Sequence, residues 1–223
     1  MQRNSFYVYR ALRIINYLKN IFSFNSPKPL TGFSVSKNAF SLKRLLCGIG
    51  KSEVRENEIE ITDYPFEPSF VYPTGIILAS DIDAMSIEFG VCKIYVKNDI
   101  VFITSEKKEV LNQFSEVHNI EIIPHSWNWD WLLEPYLDTE FTKENEERCL
   151  IQLIKNDFTK EEVNAIRKEI EKQMYAYNFD TMLWDWCSLS LSDVLSAMRA
   201  KYNEEDFRKF YKRALEIEKR TKQ

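Results

Sequence analysis

All five tryptophans of this chain fall in two near-copies of one short motif, Trp127-Asn128-Trp129-Asp130-Trp131 and Trp184-Asp185-Trp186. An indole buries a large apolar area and needs one partner for its N–H, so five in two clusters are costly to leave on a surface. They predict a shared core in which most of the indoles are buried, and they mark the joint of the fold. Neither motif is a catalytic signature.

The 223 residues, 44% hydrophobic and 14% aromatic, suffice for one large domain or two small ones. Cys47, Cys92, Cys149 and Cys187 are far apart, and the only histidines are His118 and His125. That excludes a disulfide framework and a structural zinc site as expectations. No apolar run reaches the roughly 18 to 20 residues of a membrane-spanning helix. Arg10, Arg13 and Lys19 interrupt what would be the apolar region of a signal peptide, so a cytoplasmic location is expected.

Charge divides the chain. Residues 1–51 carry nine Lys or Arg and no Asp or Glu, leaving 21 basic against 34 acidic residues in the remainder, a net −13. A basic arm precedes an acidic body.

Residues 5–24 place Tyr7, Val8, Ala11, Leu12, Ile15, Leu18 and Phe22 at spacings of three and four, an amphipathic helix ended by Pro27 and Pro29. Its apolar stripe is expected to dock on the chain's own acidic body in preference to an anionic membrane. From Thr31 to about Thr104 the pattern changes to short β runs: 33–35, 40–47, 58–62, 70–72, 76–78, 82–89, 92–97 and 100–104. Met85, Ile87 and Phe89 alternate with Ser86 and Glu88, so the latter pair is expected to face the other way. Ser105 is expected to cap a helix with Val110, Leu111, Phe114 and Val117 on its apolar face, and 120–123 is a further strand candidate.

That order of strands followed by one amphipathic helix is similar to a pleckstrin-homology-like barrel over roughly a third of the chain. The similarity lies in element order, and it implies a sheet closed by a helix. No functional residue is carried over from it.

Beyond Pro124 the signals are helical. A helix from Trp127 should break at Pro135, and further starts are expected at Thr142, at Thr159 with Glu162 as a capping box, at Asp180, at Ser190 and at Asn203. Val163, Ile166, Ile170, Met174 and Tyr177 form one apolar stripe, and Phe207, Phe210, Tyr211, Ala214 and Leu215 another. The expected class is α+β: an N-terminal amphipathic helix with its linker over 1–29, an antiparallel β unit with closing helix over 30–124, and a helical bundle over 125–223.

The densest acidic group is Asp130, Glu134, Asp138 and Glu140. On a continuous helix the first three would line one face, the arrangement that holds a hard cation or pairs a general acid with a base. A solvated face, or carboxylates bonded to indole and backbone N–H groups, needs the same residues. With Pro135 in the register and no histidine or glycine-rich loop joining them, the structural reading is the expected one. His125 is expected to cap or pack, and Cys187, bracketed by Trp and Leu, to be buried and inert. Gly48-Ile49-Gly50-Lys51 lacks P-loop spacing and reads as a hairpin turn.

A net −13 body attracts cationic surfaces and repels nucleic acid. The expected function is a non-enzymatic protein-binding protein, a regulator or immunity-like inhibitor that presents an acidic, aromatic surface to a basic protein partner. It is expected to need no cofactor and no metal, and to bind no nucleic acid. Its partner-facing residues would be Asp130, Glu134, Asp138, Glu140, Tyr175 and Tyr177. One rival is a peripheral membrane protein using Arg3, Arg10, Arg13 and Lys19 of the basic helix. The other is a metal-dependent hydrolase built on the acidic quartet.

Overall fold

The computed structural model describes residues 47–137, 141–180 and 188–221. The chain is α+β, with two antiparallel three-stranded sheets among the described residues. The first runs β1 (Lys51–Val54), β2 (Glu58–Thr62), β3 (Gly75–Leu78), and the second β4 (Ala84–Ser86), β5 (Cys92–Val96), β6 (Asp99–Ile103). Both are meanders in sequence order, as the short turn-bounded runs imply. The expected N-terminal helix and the strands at 33–35 and nearly all of 40–47 lie outside the described residues.

Gly48 and Gly50 both take positive φ, and a Cβ on Gly50 would stand 2.7 Å from the Thr62 carbonyl oxygen. Only glycine fits where β1 begins its pairing with the end of β2 (Lys51 with Thr62). The hairpin turn itself is at 55–57, closed by the Arg55 N–H on the Glu58 carbonyl. Residues 70–72, expected as a strand, are a turn: Tyr72 N–H bonds back to Ser69, and Asp99 accepts both the Ser69 hydroxyl and the Phe70 N–H.

In the second sheet the simple alternation fails. Ser86 is buried and Phe89 is exposed, the reverse of expectation. The strand ends at Ser86, and all of β5 is buried because the sheet is covered on both faces. Register sets Ser86, Lys93 and Phe102 in one row. That row faces the last helix through Phe102 on Phe66 and Phe66 on Tyr211, with centroids 5.8 and 6.3 Å apart. Residues 120–123 add a single parallel bridge, Ile122 to Met85, along β4.

Six α-helices follow among the described residues: α1 (Lys108–His118), α2 (Asn128–Leu133), α3 (Lys143–Lys155), α4 (Lys160–Asp180), α5 (Leu191–Lys201) and α6 (Glu204–Lys219). Thr104, not Ser105, caps the turn that leads into α1, and Val117 is 72% exposed instead of lying on its apolar face. Pro135 breaks the chain after α2 into a 3-10 turn over Glu134–Tyr136, as expected. Thr142 and Asn203 cap α3 and α6 through their side chains, and Ser190 forms a reciprocal capping box with Asp193 at α5. At Thr159 only half of the expected box forms, because the Glu162 carboxylate pairs instead with Arg220 at 2.8 Å. Asp180 ends α4 and does not begin a helix. Both predicted apolar stripes, on α4 and α6, are buried throughout, and sheets and helices share one continuous core.

Candidate functional site

The first tryptophan motif works as a clamp on the end of α6. A helix C-terminus leaves its last carbonyls without intrahelical partners, and side-chain donors can satisfy them. Here Ser126 donates to Glu218 and Asn128 Nδ2 to both Ile217 and Arg220 at 2.8 and 2.7 Å, while Trp129 Nε1 adds a donor at 3.0 Å to the Ala214 carbonyl, one turn earlier. Asn128 Oδ1 accepts from Asn156, so this fully buried amide is spent on three partners. Trp129 is fully buried, Trp131 half-buried, and Trp127 is 41% exposed. Trp184 and Trp186 lie outside the described residues, as does Cys187.

Beneath the clamp is a chain of charged groups. Lys93, on the middle strand of the second sheet, pairs with Glu218 in the last turn of α6, and both side chains are shut off from solvent. The Lys93 ammonium also reaches His125 Nδ1 at 3.5 Å, and His125 Nε2 lies 3.0 Å from Asp130 Oδ2. Lysine has only N–H groups to offer, so Nδ1 accepts and Nε2 carries the proton that it donates to Asp130. Burial pushes the Glu218 carboxyl up, with Lys93 opposing and Asp130 reinforcing. Burial, then Glu218, raises the Tyr95 phenol. Phe89 and Trp127 close over His125, with ring centroids 5.3 and 4.7 Å from it.

This arrangement is poorly suited to acid–base chemistry. Both nitrogens of His125 are committed internally, and among the described residues no hydroxyl or thiol is hydrogen-bonded to it. It reads as a polar lock that fixes the end of α6 to the second sheet, in keeping with a capping or packing role for His125.

Of the expected acidic quartet, Asp130 and Glu134 are among the described residues. Asp130 serves His125, whereas Glu134 begins the 3-10 turn past the break. Asp138 and Glu140 lie outside the described residues, as do Arg3, Arg10, Arg13 and Lys19. Among the described residues no three His, Cys, Asp or Glu side chains are grouped to hold a metal ion, and no helix is long and apolar enough to cross a membrane. Tyr175 packs edge-on against Tyr136 at 5.2 Å, and buried Tyr177 donates to Asp193 at 2.9 Å.

Lys93 and Glu218 escaped the sequence reading although each carries a signal. Lys93 interrupts the apolar run Cys92-Lys93-Ile94-Tyr95-Val96, and Glu218 continues the stripe Tyr211, Ala214, Leu215 at the next helical step. A charge in place of an apolar residue on two separate core-facing patterns is the mark of a buried pair.

Two further surfaces concern recognition. On the outer face of the first sheet, Glu60 stands opposite Ile76 and Glu58 opposite Leu78, with Glu53 opposite Glu60. Ile76 and Leu78 are 51% and 46% exposed, and Arg55 is ion-paired with Glu53, Glu58 and Glu60. Beside Ile76 a cleft of about 630 Å³ opens between Phe70, the 97–99 turn and the Arg208, Tyr211, Lys212 side of α6. No protein-family model, no curated protein and no solved structure matches this chain.

Proposed function

We propose that this chain is a non-enzymatic protein-binding protein, a regulator or immunity-like inhibitor that offers an acidic and apolar surface to a basic protein partner in the cytoplasm. The supporting observation is the register of the first sheet. It alternates carboxylates with exposed aliphatic side chains, Glu60 beside Ile76 and Glu58 beside Leu78. Exposed apolar residues in contiguous array, rimmed by charge, are typical of interaction sites. Three glutamates around one arginine leave that face net negative, the same sign as the body. A basic partner would be steered by the charge and anchored by the aliphatics.

On this reading the contact surface lies on the β part of the chain, in the region whose element order is similar to a pleckstrin-homology-like barrel. The expected contributions of Asp130 and Tyr177 become internal, since both are engaged within the fold. The test is native co-purification of the full chain with mass spectrometry, repeated with Ile76→Lys and Leu78→Lys. A basic partner should co-purify, detach as salt rises, and be lost from the variants. A partner retained unchanged by both variants would sink the assignment of this face.

A further inference from the structure

We infer that the cleft beside Ile76 is a second recognition site, one that takes a partner polypeptide segment in which apolar side chains are flanked by carboxylates. The inference rests on the protein-binding reading and adds to it a site of opposite charge.

The cleft has an apolar wall and a cationic wall. Phe70 and Ile76, 52% and 51% exposed, stand on one side, and Arg208 and Lys212 line the other, with Lys97 on the turn between β5 and β6. On α6 and just past its end the neighbouring cations are occupied: Arg208 with Glu67, Lys209 with Glu205, Arg213 with Glu169, Lys219 with the Lys97 carbonyl oxygen, and Arg220 with Glu162. Lys212 and Lys97 are the exception. Neither ammonium has a carboxylate within ion-pair distance among the described residues, and both are exposed at the same opening.

The carboxylates of the cleft do not cancel them. Asp99 is spent on internal donors, accepting from the Tyr211 and Ser69 hydroxyls at 2.7 and 2.6 Å and from the Phe70 N–H. Asp81 alone stands open there against two unpaired lysines and Arg208. In a body of net −13, unpaired cations converging on an apolar concavity are selective for an amphipathic anion. A polypeptide suits better than a small ligand because the exposed apolar groups, Phe70 and Ile76, and the two ammoniums stand on separate segments around an open cleft of about 630 Å³, where one small molecule would reach only part of them.

The probe is a fluorescein-labelled peptide carrying a Phe-x-x-Leu pair flanked by aspartates, titrated into the full chain by anisotropy. Saturable binding is expected, weakening about fivefold or more with Lys212→Glu or Lys97→Glu as charge-assisted contacts are lost. Lys143→Glu, an equal charge change away from the cleft, should leave it unchanged, and unaltered melting would show that the variants fold. No saturable binding up to ~1 mM, or binding that survives Lys212→Glu, overturns the inference. So does octanoate binding as tightly as the peptide, which would make the cleft a small-ligand pocket. Failure here is separable from failure of the broader reading, because the basic partner's dependence on Ile76 and Leu78 is scored in its own experiment.

Discussion

Lys93 and Glu218, 125 residues apart in sequence, meet as an ion pair with neither side chain exposed to solvent. Removing one member of a buried pair strands the other, whereas replacing both by apolar groups can be nearly neutral. Lys93→Met should therefore cost about 3 to 5 kcal/mol in urea unfolding, and Lys93→Met with Glu218→Leu should recover much of that loss. A double variant no more stable than the single one would mean that the pair's partners, not its charges, carry the effect.

The clamp on α6 predicts graded losses. Trp129→Phe keeps most of the buried ring but leaves the Ala214 carbonyl without the indole donor, at about 1 to 2 kcal/mol. Asn128→Ala removes donors to two carbonyls and the acceptor for Asn156, and should cost about 2 to 4 kcal/mol. Hydrogen exchange at the end of α6 should accelerate in both. Exchange that quickens everywhere except there would contradict the clamp.

Glu169 sets a pH dependence. Burial by itself would raise its carboxyl, but hydrogen bonds from Arg213 and Tyr202, with the charges of Arg213 and Lys201, hold it below the ordinary value. A depressed carboxylate stabilises the fold above its unfolded pKa, and that contribution is lost as pH falls through the folded value. Glu169→Gln should thus be less stable than the parent near neutrality, and the gap should close in acid. A gap that widens as pH falls would invert the assignment.

The basic arm gives a further test. With so few basic residues on one helix, co-sedimentation of the full chain with anionic vesicles is expected to stay near background. Strong sedimentation that declines with salt, and disappears when residues 1–25 are deleted, would favour the membrane reading.

Much of the helical half is written locally. Thr142, Ser190 and Asn203 announce their helices because a capping side chain acts within three residues of itself, and the stripes on α4 and α6 repeat at the helical period. Trp129 follows from the size of its indole. What sequence pattern could not supply is pairing across distance. The both-sided burial of the second sheet put Ser86, read from the alternation as facing away from Met85 and Ile87, inside the core. The charged cleft was equally illegible, because it joins side chains from the 70s, the 90s and α6.

The clamp also bears on how the chain is made. Synthesis runs from the N-terminus, and the carbonyls that Ser126, Asn128 and Trp129 hold belong to residues 214–220. Until those residues leave the ribosome, Lys93 has no counter-charge and Asn128 lacks two of its three partners. The second sheet cannot reach its final interior before they emerge. Contacts this remote in sequence slow folding and lengthen the time that apolar strands stand open. A nascent chain halted before Ala214 should therefore engage chaperones, and its release should coincide with the arrival of the last helix.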